Sequence, residues 1–127
     1  MNHITSPSTE DSAIEREIIA KGLNAPRVTP AGLQANIASA HYFTASQGVI
    51  GSGQQMQFGS PLLLLTFCVL VLKNGFTVTG ESACASPENF DAAIGEKIAR
   101  QNAEQKIWPL MGYALKERLA ERACQTN

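Results

Sequence analysis

Few side chains in this sequence stand where they could act chemically, and each also has a structural reading. His41 precedes Tyr42 and Phe43. An imidazole works as a general base only when a further group orients it, and none lies near His41 or His3 in sequence, so a packed or rim histidine is the plainer reading. Glu81 and Ser82 offer a carboxylate and a hydroxyl at the end of an expected strand, where ligands are often held; the same pair could simply order the turn at residues 83–85. Ser86-Pro87-Glu88-Asn89 would open a helix whose N-terminus could take an anion, yet Glu88 and Asp91 oppose one there, which favours plain capping. Lys97, Arg100 and Lys106 form a basic cluster diluted by Glu96 and Glu104, as on a mixed solvated face, with Glu96 and Arg100 spaced to pair across one turn. Trp108, ahead of Pro109 and Tyr113, could anchor a partner, since Trp and Tyr recur at interface centres, or could seal a core at a kink. The candidate binding residues are therefore Glu81, Ser82, Asn89, Arg100 and Trp108, on a surface away from the N-terminal helices. No catalytic residue, metal ligand or cofactor is expected.

The composition narrows the classes further. A chain of 127 residues with 44% hydrophobic content can bury one sizeable core. The expected organisation is a polar tail over residues 1–11, a single α+β domain over 12–122 and a C-terminal tail over 123–127. A net charge of −1 argues against a protein whose whole surface binds nucleic acid or membrane, because phosphate contacts need a basic excess. Cys68, Cys84 and Cys124 are odd in number and lack metal-ligand spacing, which predicts free thiols in a reducing compartment. The apolar run 62–72 is about half of what a membrane-spanning helix requires, so it reads as a core segment. No charged-then-apolar leader is visible at residues 1–11, which predicts that the protein stays where it is made.

The elements that must position the candidates are signalled mainly by their ends. Ile14, Ile18 and Ile19 recur at helical spacing between Glu10-Asp11 and Lys21-Gly22, predicting a helix over 12–21. Thr29-Pro30 reads as an N-cap followed by proline at the first helical position, opening a second helix to about residue 39, with Val28 placed to staple onto Leu33. Residues 41–44 have strand character. The stretch 47–60, rich in Gly, Ser and Gln, reads as a loop. Asn74-Gly75 between two strand-like runs predicts a hairpin joining 65–73 to 76–82 through a two-residue type I′ turn. That turn sets Lys73 against Phe76, so Val71, Val69 and Phe67 would oppose Val78, Gly80 and Ser82, while Leu72, Leu70 and Cys68 would oppose Thr77, Thr79 and Glu81. Both faces of the first hairpin strand are apolar, so it should be central and covered on both sides, by helices or by a partner subunit. Ser86 then caps a long helix with Phe90, Ile94 and Ile98 at steps of four, and this helix should kink or break at Pro109. The fold class is α+β: two short N-terminal helices, a small antiparallel sheet built on the Asn-Gly hairpin, and a long C-terminal helix.

From Cys68-Val69-Leu70-Val71-Leu72-Lys73-Asn74-Gly75-Phe76 through Thr79-Gly80-Glu81-Ser82, Ser86-Pro87-Glu88-Asn89-Phe90-Asp91 and Lys106-Ile107-Trp108-Pro109-Leu110 to Gly112-Tyr113, the sequence resembles a family of small tailed-phage proteins. The family is named after gene products forty-nine and sixty-six of two enterobacterial phages. The resemblance covers about residues 12–120 and implies a phage or prophage source, but it transfers no activity and no catalytic residues. The expected function is that of a non-enzymatic accessory protein acting by binding in the host cytoplasm, as an inhibitor of a host protein or by sequestering a small defence signal. A nucleic-acid-binding module is the alternative, since helix, three strands, helix is also the element order of double-stranded RNA-binding domains. A homodimer is expected from the doubly apolar strand.

Overall fold

The structure, a computed structural model, describes residues 9–125. His3, residues 1–8 of the expected N-terminal tail and the last two residues of the chain lie outside the described residues. In chain order the elements are α1 (Thr9–Ala20), α2 (Pro30–Ala35), β1 (Ile37–Thr44), α3 (Ala45–Gly51), β2 (Leu65–Leu72), β3 (Thr77–Ala83) and α4 (Ala92–Gln125), with 3-10 turns at Pro61–Leu64 and Pro87–Asn89. This is the α+β order expected. The described chain divides into two compact units, one of the residues up to Asn36 with those from Gln105 onward, the other spanning Ile37–Glu104, so α4 contributes to both.

In the second unit, β1, β2 and β3 form an antiparallel sheet in that order, which makes the doubly apolar β2 the central strand. Along β2 burial alternates: Thr66, Cys68, Leu70 and Leu72 are buried, while Leu65, Phe67, Val69 and Val71 keep partial access to solvent. The buried face lies under α4. A Cβ on Gly80 would collide with the backbone of Ala99 and Ala103, and one on Gly95 would stand 3.1 Å from Thr66 Oγ1, so helix and sheet approach through small residues.

The hairpin register differs from the expected one by a single residue. Leu72 closes the loop by donating to the Phe76 carbonyl at 2.8 Å and accepting from Gly75 N at 2.9 Å, leaving a three-residue loop with Gly75 at φ 91°. Asn74 Oδ1 accepts from Phe76 N at 2.9 Å. A three-residue loop with glycine at its last position is the other common use of Asn-Gly, and a one-residue shift moves every partner to the opposite face. Leu70 consequently pairs with Val78, Cys68 with Gly80 and Phe67 with Glu81. Val78 and Gly80 thereby join the buried face, where the expected register would have set them against Val71 and Val69.

Three other expectations need correction. First, β1 is eight residues long rather than four and takes over the last residues expected in the second helix, because Ile37 to Thr44 pairs along β2 from Leu72 to Thr66, with a bulge at the start. Second, the loop expected over 47–60 begins with α3, held by a capping box in which Thr44 Oγ1 accepts from Gln47 N and Gln47 Oε1 accepts from Thr44 N. Third, Ser86 makes no side-chain cap; Asp91 Oδ1 accepts from Ile94 N at 3.1 Å at the start of α4.

In the first unit the caps are as expected. Thr29 Oγ1 accepts from Gly32 N at 2.9 Å ahead of Pro30, and Leu33 is fully buried. After α1, Gly22 turns the chain at φ 69° while Leu23 N donates to the Ile18 carbonyl. Helix α1 starts three residues earlier than expected, and α4 runs through the expected C-terminal tail to Gln125. It does so with Pro109 inside it and no break. Proline deletes one amide, the partner of the Gln105 carbonyl, out of a ladder of 34 residues, and the turns on either side keep theirs.

Candidate functional site

The structure distributes the five candidate residues over separate places. Arg100, expected on a solvated basic face, is buried on the sheet side of α4. Its Nε donates to Glu104 Oε2 at 2.8 Å and its Nη1 to Tyr42 Oη at 3.4 Å, with both charged side chains less than a tenth exposed. The bond to Glu104 runs forward along the helix, one turn on. Burial works against the Arg100 charge, but the bonds to Glu104 and Tyr42 outweigh it and raise its pKa. Burial also raises Tyr42, and pushes the adjacent Cys68 thiol from 9.0 up to about 11, against the pull of Arg100. A neutral, buried thiol is a poor nucleophile, and the bonds from Arg100 to Glu104 and Tyr42 tie the helix to the sheet.

Ser82 and Asn89 are brought together. Both line a small cavity of about 130 Å³, with Thr66, Cys84, Asp91 and Ile98 among its walls. Glu81 is next to Ser82 in sequence but faces the other side of the sheet, opposite Phe67, and its backbone carbonyl accepts from Asn102 Nδ2 at 2.8 Å. His41, also exposed, lies within 3.0 Å of Ser39 Oγ.

Trp108 belongs to the first unit, where it lines a larger groove of about 270 Å³. One wall of this groove is α1, through Ile14 and Ile18, and another is Val28 and Pro30. Arg27, also in the lining, makes a two-pronged bond to Glu15, Nη1 to Oε1 at 2.6 Å and Nη2 to Oε2 at 3.0 Å. The guanidinium holds the Glu15 carboxyl below its ordinary range. The groove thus combines apolar walls, one tryptophan and one fixed ion pair. Sequence reasoning singled out Trp108 but missed Arg27 and Glu15, whose separation of twelve positions carries no periodic signal.

No helix among the described residues is long and apolar enough to cross a membrane. Compared with known proteins, residues 28–119 match the family described as phage protein (N4 Gp49/phage Sf6 gene 66). The match takes in the whole sheet, α2 and the groove residues Val28, Pro30, Gln105 and Trp108, while α1 and Arg27 lie ahead of it. No curated protein and no solved structure matches the chain.

Proposed function

The chain belongs to the phage protein (N4 Gp49/phage Sf6 gene 66) family, and from that premise we propose that it is a non-enzymatic accessory protein acting in the host cytoplasm by binding a host protein. The observation that carries this reading is the groove at Trp108. Its open, largely apolar walls suit an inserted apolar side chain, with the Arg27–Glu15 pair to meet flanking backbone. A small anionic defence signal is a weaker fit, because the groove's cation is already held by a carboxylate. Nucleic acid is disfavoured by a related observation: Arg100, the middle member of the basic cluster, is 6% exposed and bound to Glu104, out of reach of phosphate.

The test is capture from host cells, followed by titration of the purified partner against wild type, Trp108→Ala and Ile18→Asp. The reading expects both variants to lose the partner while keeping the circular dichroism spectrum of wild type. Equal binding by the variants, or losses that track unfolding, would overturn it. A salt-dependent gel shift with nucleic acid would replace it with the alternative.

A further inference from the structure

On the sheet of the second unit, the face turned away from α4 is organised like half of an interface. Its centre is apolar: Phe67, Val69 and Val71 of β2 alternate with the buried residues, and Phe43 of β1 stacks on Phe67 with ring centroids 5.6 Å apart. Phe43 remains 37% exposed even though α3 brings Gly48 to its ring edge. The two edges of this face carry opposite chemistry. His41 on β1 pairs across β2 at Val69, and Glu81 on β3 pairs at Phe67, so an imidazole lines one edge and a carboxylate the other. Both are exposed.

That arrangement restricts what can cover the face. Nucleic acid stacking on the phenylalanines would need an excess of cations around them, and a strongly acidic or basic protein would need a face of one sign. The surface complementary to an imidazole edge, an apolar centre and a carboxylate edge is the same surface turned over. A two-fold axis parallel to the strands performs that operation: β1 of one copy then lies over β3 of the other, and the apolar centres meet at the usual sheet-to-sheet spacing of about 10 Å. His41 comes over the partner's Thr79, one step of about 7 Å along the strand from the partner's Glu81, within reach of the longer side chain. We propose that this face is a two-fold interface with a second copy of this chain, its edges joined by His41 of each copy and Glu81 of the other.

The proposal is independent of what the Trp108 groove binds, and its experiment reads only the size of the purified protein. Sedimentation equilibrium across the micromolar range is expected to show a dimer for wild type. Thr79→Arg changes an exposed side chain on this face, keeps the fold, and is expected to give a monomer. His41→Glu sets carboxylate against carboxylate twice per dimer and should weaken association at least about tenfold, while His41→Glu combined with Glu81→Lys should recover it. A wild type that is monomeric throughout would overturn the proposal. So would a Thr79→Arg variant that still dimerises, or a His41→Glu variant that associates as tightly as wild type.

Discussion

Replacing Gly80 with alanine should be among the most damaging single-methyl changes in this protein. The added Cβ would stand inside contact distance of the Ala99 carbonyl oxygen and the Ala103 amide nitrogen, and 2.9 Å from Ala103 Cα. All three are backbone atoms of α4, so no side chain can swing away. Carbon and carbonyl oxygen ordinarily approach no closer than about 3.3 Å, so helix and strand must part by about 1 Å. A gap of that size forfeits a quarter to a half of each dispersion contact it crosses. Here it would loosen Ala99 and Ala103 over Cys68, Leu70 and Val78, all buried. With overpacking alone costing about 1–3 kcal/mol, a loss of about 3 kcal/mol or more is expected. For a chain of this length that lowers the melting temperature by about 10–15 °C. Calorimetry and urea titration measure it, and the urea slope should stay unchanged, since the same surface is exposed on unfolding. A Gly80→Ala protein melting within about 2 °C of wild type would refute the seating of α4 on β3, and with it the observed register.

Other substitutions probe separate elements. Gly112→Ala, within α4 and with no atom within 4 Å of the new Cβ, should raise stability by about 0.5–1 kcal/mol in the same urea assay; a loss would show an unseen neighbour. Gly75→Val places a β-branched residue at φ 91° and should cost about 1–3 kcal/mol, and a wild-type melting temperature would show that the loop is built otherwise. For Cys68 the folded pKa lies above the unfolded one, so the stabilisation is complete below about pH 9 and fades as pH rises toward about 11, because the unfolded thiol ionises first. The loss is at most about 2–3 kcal/mol, and Tyr42, also raised by burial, adds in the same direction. Urea titrations at about pH 7 and about pH 10 measure it. Iodoacetamide on the native protein should label exposed Cys124 and spare Cys68; rapid labelling of Cys68 would contradict its burial.

What the sequence made legible was local. Thr29-Pro30 and Asn74-Gly75 act through bonds to residues two or three positions away, so the helix start and the existence of the hairpin, though not its loop length, could be read wherever the rest of the chain goes. The Thr44-Gln47 capping box is equally local, but the glycines after it give the same stretch the composition of a loop. Register was not local. Asn-Gly supports both a two-residue and a three-residue loop, and the choice was made by which face α4 could approach. The signal lay in Gly80: a glycine inside a strand marks a close backbone approach, and Gly95, Ala99 and Ala103 at steps of four supply the small face that fits it. With that face fixed, the adjoining positions 100 and 104 turn inward with it, and a mixed charged stretch becomes a buried pair. The groove has no such signal. It joins Ile14 and Glu15 to Trp108 across more than ninety positions, and nothing about an isoleucine on a short helix says which tryptophan it will meet. A groove assembled from such distant segments is therefore recognisable only after folding, when Ile14, Ile18 and the Arg27–Glu15 pair come to line one space with Trp108.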